Sequence, residues 1–337
     1  MRRAWDEGDA VLPVDPRLPR PAVEALTRAL RVGEPVEPGD ALVVATSGTT
    51  GEPKGVVLTH EALGASASAI SKRLGVKPRK DRWLACLPLA HIGGLSVVTR
   101  ALITGTPLMV LPGPDPELVA AAVKKGATRT SLVLTALRRL DVSRFRTVLL
   151  GGDVPPVDPP RNVVTTYGLT ETGSGVVYDG VPLDGVEMAV VDGEVRLRGP
   201  MLLRAYRDGT DPKDREGWLA TGDGGEIGAD GRLTVAGRLA EMIVSGGEKV
   251  WPVPVEVVLR NHPGVADVAV IGQPDPEWGT RVVALVVPSE PSDPPSLEDL
   301  RAFVRTRLPA YAAPREVRLV TALPRTPLGK LRRRGPV

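Results

Sequence analysis

The sequence is poor in cysteine, in long apolar runs and in any excess of one charge. Cys86 is the single cysteine among 337 residues, which excludes an internal disulfide bond and favours a reducing compartment. No apolar stretch is long enough to span a membrane, and residues 1–7 have no apolar core of the kind that secretory signals contain. We therefore expect a cytoplasmic protein without a membrane partner.

Neither sign of charge dominates the chain. Lysine and arginine number 43 against 40 aspartate and glutamate residues, and the net charge of +3 is small for this length. Overall charge thus gives no reason to expect nucleic-acid binding, which only the basic run Arg332–Arg334 would support. Hydrophobic residues at 42% and charged residues at 25% are typical of a globular protein, and the length allows two or more domains.

The most informative stretch is a loop rich in glycine and hydroxyl groups. It follows Ala41–Ala45, an apolar run that predicts a short buried strand. Glycines let backbone N–H groups turn toward one point, hydroxyls add donors, and Lys54 adds a mobile positive charge. This composition predicts a polyphosphate-binding loop, although an exposed turn is the alternative and the spacing is too short for a Walker motif. The predicted binding residues are Thr46, Ser47, Gly48, Thr49, Thr50, Gly51 and Lys54.

A second polar cluster follows the β-branched run that starts at Val163. This run predicts a strand, and Tyr167, Gly168, Thr170 and Glu171 stand at its carboxyl end. An aromatic face can stack on adenine, and a carboxylate can hold a Mg²⁺ ion that bridges phosphates. The alternative is a strand and a turn without a ligand.

The remaining pattern predicts an α/β chain followed by a more antiparallel part. Residues 106–150 alternate strand and helix signals, which is typical of a parallel sheet with crossover helices. Among them we predict a helix over Ser131–Leu140. Asp192-Gly193 predicts a hairpin turn. Thr59 and Ser296 are predicted to cap helices at their amino-terminal ends. The helix after Ser296 is expected to have Leu297, Leu300 and Val304 on one face.

The motifs TSGTTGEPKGV and YGLTE resemble those of the adenylate-forming superfamily, which includes acyl-CoA ligases, luciferases and peptide-synthetase adenylation domains. The resemblance runs from Ala41 to Arg334. It implies an α/β fold with a large N-terminal domain over 1–238, built from parallel sheets and a small β-subdomain. A small, mobile C-terminal α+β domain is expected over 239–337. The front subdomain is expected to be shortened, because the phosphate loop already starts at Thr46.

The resemblance also implies a chemical role for each matched residue. A carboxylate is activated by ATP and Mg²⁺ to an acyl adenylate, with Lys330, Glu171 and Thr170 as the catalytic residues. Lys330 bridges the α-phosphate and the carboxylate, because two anions that approach each other need a cation between them; a solvated basic tail is the alternative. Glu171 holds the magnesium. The nucleotide-binding set is completed by Gly152, Asp153, Tyr167, Gly168, Asp223 and Arg238.

Acyl and coenzyme A sites are implied by two further motifs. A histidine beside apolar residues is ordinarily a core group, but the surrounding PLAHIGG places His91, with Gly151, at the acyl pocket. The SGGEKV turn, with Ser245, Gly246 and Gly247, resembles the turn that faces coenzyme A in acyl-CoA ligases. Ala240 stands where the superfamily usually has an aspartate or lysine as an interdomain hinge.

Within the superfamily, LPLAHIGGLSVV, SGGEKV, Ala240 and the compact length are most similar to the o-succinylbenzoate–CoA ligases, in a short actinobacterial form. The partner is then a small-molecule carboxylic acid with a second carboxylate, and burying that group requires a counter-charge. Arg100, on a helix that begins at Gly93-Gly94, is our candidate. A CoA ligase for another aromatic or fatty acid and a non-catalytic nucleotide-binding protein stay open, as does a homodimer.

Overall fold

The computed structural model describes residues 1–47, 53–152 and 158–323, and its contacts divide the chain into two compact units. The first unit comprises Met1–Ala189, Arg196–Thr221 and Ile227–Leu233. The second comprises Val190–Val195, Gly222–Glu226 and the chain from Thr234. The expected division after residue 238 stays a prediction.

The described residues alternate helices and strands along most of the chain. The helices are α1 (Arg2–Asp6), α2 (Arg20–Ala29), α3 (His60–Arg73), α4 (Ile92–Thr104), α5 (Pro116–Lys124), α6 (Leu134–Leu137), α7 (Pro252–Leu259) and α8 (Leu297–Arg305). The strands up to residue 182 are β1 (Asp40–Ser47), β2 (Pro53–Thr59), β3 (Trp83–Ala85), β4 (Leu108–Val110), β5 (Arg129–Leu132), β6 (Thr147–Leu150), β7 (Val163–Leu169), β8 (Ser174–Tyr178) and β9 (Val181–Pro182). The later strands are β10 (Glu187–Val191), β11 (Glu194–Arg198), β12 (Ala205–Tyr206), β13 (Leu219–Ile227), β14 (Leu233–Arg238), β15 (Ile243–Ser245), β16 (Glu248–Val250), β17 (Val265–Asp275), β18 (Gly279–Pro288) and β19 (Glu316–Leu319).

A seven-stranded sheet forms the centre of the first unit, in the order β4-β3-β5-β6-β7-β8-β9. The strands from β4 to β7 run parallel, and β8 and β9 are antiparallel. Every residue of β3 and β6 is buried, as expected for a parallel sheet that is covered on both faces. The predicted parallel sheet with crossover helices is thus confirmed, and α4 and α5 are two of its crossovers.

The helix predicted over Ser131–Leu140 is wrong at its start. Leu132 is the last residue of β5, which pairs with β6 in register Arg129↔Thr147. Only Leu134–Leu137 is α-helical. The apolar spacing in this stretch suits both a helix and a buried strand, and pairing with a buried neighbour decides in favour of the strand.

A three-stranded sheet, β1-β2-β12, frames the predicted phosphate loop. Strand β1 is antiparallel to β2 with Thr46 opposite Lys54, and β2 is antiparallel to β12 with Val56 opposite Tyr206. Thr59 then caps α3 as predicted, because its hydroxyl accepts from the backbone N–H of Ala62 at 3.1 Å. The two ends of the predicted loop are therefore fixed by regular structure.

The second unit contains the hairpin β15-β16 and the sheet β17-β18-β19. Apolar residues of β17, β18, α7 and α8 form its core. Ser296 caps α8 in a capping box with Asp299, as predicted. Leu300 and Val304 are fully buried, whereas Leu297, the first residue of the helix, is 37% exposed. The Asp192-Gly193 turn has positive φ at both residues, as the predicted hairpin requires.

A buried ion cluster joins the amino-terminal ends of three parallel strands in the first unit. The Asp81 carboxylate lies 3.2 Å from Nε of buried Arg129 and accepts from Nη1 of Arg146 at 2.7 Å. It also accepts from the Lys77 backbone N–H and the Thr128 hydroxyl. Burial raises the pKa of Asp81, but these hydrogen bonds outweigh it and the pKa is lowered overall. The carboxylate is thus ionised and holds the strand ends together.

Replacing Asp81 by asparagine leaves the Arg129 guanidinium buried without a counter-charge. We expect the free energy of urea-induced unfolding to fall by about 3 kcal/mol. Because the folded pKa is lowered, the stabilisation by Asp81 is present above the unfolded pKa and is lost as the pH falls through the folded value. The control is Asp184→Asn, which removes an exposed pair with Lys72 and is expected to leave stability nearly unchanged. Equal losses in both variants would contradict the prediction.

Candidate active site

Three strands of the parallel sheet carry predicted site residues at their carboxyl ends. His91 follows β3 and is the exposed N-cap of α4. Gly151 and Gly152 follow β6, and Gly152 has a φ of +83°, which favours glycine. Glu171 follows β7. Because parallel strands end at one edge of a sheet, these residues share the edge where open α/β sheets bind ligands.

The Glu171 carboxylate is held in a tight turn. Thr170–Thr172 form one turn of 3-10 helix directly after β7. The buried hydroxyl of Thr172 accepts from the Leu169 N–H at 2.9 Å and donates to the Ser174 carbonyl at 2.7 Å. The Glu171 carbonyl accepts from the Leu203 N–H at 2.7 Å. The backbone that carries Thr170 and Glu171 is therefore fixed on both sides.

Tyr206 is the side chain that contacts Glu171. Its hydroxyl donates to Oε1 of Glu171 at 3.1 Å. Burial and the negative charge of Glu171 both raise the pKa of Tyr206 above its usual value, so the phenol keeps its proton and donates. The ammonium of Lys54 lies over the Tyr206 ring, 4.9 Å from its centre. Tyr206 thus connects a predicted phosphate-binding cation to a predicted metal-binding carboxylate.

The predicted phosphate loop is described only at its two ends. The Thr46 hydroxyl lies 3.4 Å from the Lys54 carbonyl, and Ser47 is the last residue of β1. The Lys54 side chain is exposed. Gly48, Thr49, Thr50 and Gly51 lie outside the described residues, as do Asp153 and Lys330. Their predicted roles stay predictions.

Gly168 stands where the chains of β7 and β8 approach most closely. A Cβ atom at this position would lie 2.2 Å from the carbonyl oxygen of Ser174. The strand register shifts between Tyr167 and Gly168, so the pleat is interrupted beside the tyrosine. Gly151 is similarly constrained, because its Cβ would lie 2.7 Å from the Thr166 hydroxyl. Both glycines are required by close packing, which explains them without a ligand contact.

Arg100 is buried in α4 with only 2% of its surface exposed. Its Nη2 donates to the Ser174 hydroxyl at 3.3 Å, and its guanidinium lies 4.7 Å from the centre of the Trp83 ring. Among the described residues, its Nε and Nη1 have no hydrogen-bond partner and no carboxylate is within ion-pair distance. Burial lowers the pKa of Arg100, and burial raises the pKa of the nearby Tyr178 to about 12. Arg100 is therefore a buried cation that the described residues satisfy poorly.

Two predicted sites lie within the second unit. Asp223, 6% exposed, pairs with Arg238 at 3.0 Å between Oδ1 and Nε. Gly246 has a positive φ, and its N–H donates to the Trp278 carbonyl at 2.9 Å. A Cβ on Gly246 would lie 2.7 Å from the Trp278 ring, so only glycine fits. Ser245 is buried, whereas Gly247 is exposed.

The described residues fit magnesium only if phosphates supply most of its ligands. No group of three or more His, Cys, Asp or Glu side chains in the described ranges could hold a metal ion. A single carboxylate such as Glu171 suits Mg²⁺, which is commonly bound by one or two carboxylates together with substrate phosphates and water.

None of the described helices is long and apolar enough to cross a bilayer.

Two contacts at the site were missed by the sequence reasoning. Tyr206 is a lone aromatic before an Asp-Gly pair, and nothing in its spacing links it to Glu171. Trp83 begins β3 and offered no sign that its ring would pack against Arg100. In both cases the contact joins two different elements of the fold, which the spacing along the chain does not show.

Comparison with known proteins gives matches over nearly the whole chain. Residues 5–207 match the family described as AMP-binding enzyme, and residues 254–330 match the AMP-binding enzyme C-terminal domain. A probable 2-succinylbenzoate–CoA ligase of Mycobacterium tuberculosis is 44% identical over 336 residues, which cover 92% of this chain and 87% of that protein.

Two solved structures of the Bacillus subtilis o-succinylbenzoate CoA synthetase are similar in fold. The complex with the acyl-adenylate intermediate OSB-AMP has a TM-score of 0.81 and 29% identity, and covers 98% of this chain and 79% of that one. The complex with ATP and a magnesium ion has a TM-score of 0.80 and 29% identity, and covers 98% of this chain and 80% of that one.

Replacing Gly168 by alanine forces β7 and β8 apart beside Tyr167 and Glu171. We expect a loss of about 2 kcal/mol in unfolding free energy and at least about tenfold weaker ATP binding, measured by calorimetric titration. The control is Gly64→Ala in α3, where a Cβ meets no atom within 4 Å. It is expected to preserve binding and to stabilise the helix slightly. Unaltered ATP binding in Gly168→Ala would contradict the prediction.

Proposed function

Because this chain belongs to the AMP-binding enzyme family, we propose that it is a 2-succinylbenzoate–CoA ligase that forms the CoA thioester through an acyl adenylate. The superfamily predicted from the phosphate-loop and YGLTE motifs is confirmed. The observation that carries the proposal is the alignment of a relative with this activity in its name over nearly the entire chain. The substrate has two carboxylates, and only one of them is activated. The menaquinone pathway is implied by this reaction.

In the first half-reaction the carboxylate attacks the α-phosphate of ATP and pyrophosphate leaves. Bound Mg²⁺ neutralises the phosphate oxygens, and the Glu171 carboxylate at the end of β7 is the residue that would hold it. The exposed Lys54 ammonium can reach a phosphate, and Thr170 contacts the α-phosphate. Lys330 supplies the cation between the two reacting anions, a preorganised charge of the kind that dominates such steps.

In the second half-reaction the thiol of coenzyme A attacks the acyl carbonyl and AMP leaves. The Ser245-Gly246-Gly247 turn is the proposed contact for coenzyme A. Gly247 in this turn is exposed and so accessible to a ligand, which supports this role. Asp223 is proposed to accept the ribose hydroxyls, with Arg238 fixing the orientation of its carboxylate.

Arg100 is proposed to bind the carboxylate that is not activated. A buried guanidinium costs free energy unless a counter-charge or a full set of acceptors is present. In the described part of the chain Arg100 has one hydroxyl acceptor and one aromatic face. A substrate carboxylate would supply the missing charge with a paired hydrogen bond. His91, exposed at the start of the same helix, is proposed to border the acyl group.

Two other functions are tested by the same assay. A CoA ligase for another aromatic or fatty acid would use the same nucleotide site with a different acyl pocket. A non-catalytic nucleotide-binding protein would bind ATP without pyrophosphate exchange; the presence of Glu171 and Lys330 in the sequence argues against it. A cytoplasmic location, expected from the single cysteine, is part of the proposal, and the oligomeric state stays open.

ATP–pyrophosphate exchange tests the proposed function directly. We expect exchange with o-succinylbenzoate and none without it, because pyrophosphate can be reincorporated only from the acyl adenylate. Lys330→Ala should lower exchange by about 100-fold or more, whereas Lys80→Ala, at an exposed lysine without an ion pair in the described structure, should not. Faster exchange with benzoates or fatty acids would favour the alternative ligase. ATP binding without exchange for any acid would favour the non-catalytic protein.

Arg100→Ala tests the proposed carboxylate site. We expect the KM for o-succinylbenzoate to rise about 30-fold or more, equivalent to about 2 kcal/mol, because a buried ionic hydrogen bond is lost. For an analogue without the second carboxylate, Arg100→Ala should raise the KM much less. This difference separates a lost contact from general damage to the fold. Arg79→Ala, at an exposed arginine, is the matched control. An unchanged KM in Arg100→Ala would refute this role and leave the mechanism intact.

A further inference from the structure

Tyr206 contacts two groups that the proposed function assigns to nucleotide binding, although no motif marks it. Its hydroxyl donates to Oε1 of Glu171 at 3.1 Å, and Nζ of Lys54 lies 4.9 Å from the centre of its ring. We propose that Tyr206 is a positioning residue that orients the Glu171 carboxylate for Mg²⁺ and holds the Lys54 ammonium beside the phosphate site. The inference rests on the proposed roles of Glu171 and Lys54.

The backbone of Tyr206 is tied to both of the elements that it would position. It pairs with Val56 on β2, the strand that begins at the phosphate loop and carries Lys54. The next residue, Arg207, donates its N–H to the Gly55 carbonyl at 2.7 Å. On the other side, the Leu203 N–H donates to the Glu171 carbonyl at 2.7 Å. The short segment 203–207 therefore spans from the phosphate-loop strand to the carboxylate turn.

Two arginines fix this segment in place. Arg204 forms a two-pronged ion pair with the buried Asp40 carboxylate, through Nε at 2.8 Å and Nη2 at 2.9 Å. The Arg207 guanidinium donates to the carbonyls of Leu30, Arg31, Glu34 and Pro35. Tyr206 lies between these anchors and packs against the apolar core around β1 and β2. A side chain whose backbone is held this firmly can fix the orientation of a neighbouring side chain that has fewer contacts of its own.

The hydrogen bond to Glu171 suits a carboxylate that also binds a metal. A phenol donates one hydrogen, and an ionised carboxylate has two oxygens with about four acceptor positions. With Oε1 occupied by Tyr206, Oε2 has no hydrogen bond or ion pair with the residues that the structure describes and can accept a cation. Hydrogen bonds of this kind orient metal-binding carboxylates, and their loss typically weakens metal affinity.

The ring of Tyr206 acts on Lys54 independently of the hydroxyl. Lys54 has an exposed, flexible side chain, and the aromatic face gives its ammonium a preferred position through a cation–π contact. Phenylalanine would keep this face and lose the hydrogen bond. Leucine would lose both. The two contacts can therefore be separated by substitution at a single position.

The test is calorimetric titration of ATP into the full-length protein at a series of Mg²⁺ concentrations. For Tyr206→Phe we expect the Mg²⁺ concentration at half-maximal ATP binding to rise about tenfold, with ATP affinity at saturating Mg²⁺ little changed. For Tyr206→Leu we expect the same rise and, in addition, weaker ATP binding at saturating Mg²⁺. Tyr311→Phe, at an exposed tyrosine of the second unit, is the matched control and should behave as the unmodified protein.

Glu171→Gln separates failure of this inference from failure of the proposed function. If Glu171→Gln raises the Mg²⁺ requirement and Tyr206→Phe does not, the positioning role is wrong and the proposed function stands. If neither variant changes it, the metal-binding role of Glu171 is wrong as well. A Tyr206→Phe variant that melts at a lower temperature yet keeps the original Mg²⁺ requirement would show a merely structural tyrosine and also overturn the inference.

Discussion

Parallel strands end at one edge of their sheet, and the site depends on that constraint. Strands β3 and β6 are buried along their whole length and β7 is mostly half-buried, and the strands pair with their neighbours in the sheet. Residues beyond the last paired position of each strand are not held in the sheet, and predicted site residues stand there. His91, Gly151 and Glu171, which are separated by 60 and 20 residues in sequence, therefore lie at one edge of the sheet. The site is a consequence of strand direction.

The cost of burying charge separates Asp81, which the protein satisfies, from Arg100, for which a binding role is proposed. Asp81 and Arg100 are both about 2% exposed. Asp81 has two guanidinium groups, a hydroxyl and a backbone N–H around it, and these give both carboxylate oxygens ionic or hydrogen-bond partners. Arg100 has one hydroxyl and a ring. A buried ion that the protein satisfies stabilises the fold, and the small number of partners of Arg100 among the described residues is the basis on which we propose it for a substrate carboxylate.

The sequence predicted those features that depend on neighbours along the chain. Thr59 and Ser296 cap helices, and Asp192-Gly193 turns a hairpin, because each acts within a few residues. The helix predicted from Ser131 was wrong because this stretch pairs as a strand with β6, which begins 16 residues later. Tyr206 was missed for the same reason: it reaches Glu171 across 35 residues, and its own neighbours carry no sign of that contact. The remaining site residues stay predictions from motif resemblance, since spacing alone left an exposed turn or a plain strand open.

The two contacts of Tyr206 differ in strength in a way that suits their proposed roles. A cation–π contact at an exposed lysine contributes about 0.5–1 kcal/mol, whereas a hydrogen bond to a charged group contributes about 1.5–3 kcal/mol. Lys54 can therefore leave the ring at little cost when a triphosphate offers it full negative charges. Glu171 is held by the stronger contact and by the hydrogen bond from the Leu203 N–H to its carbonyl, which suits its proposed role of holding the metal. One side chain thus keeps a carboxylate fixed and a lysine available.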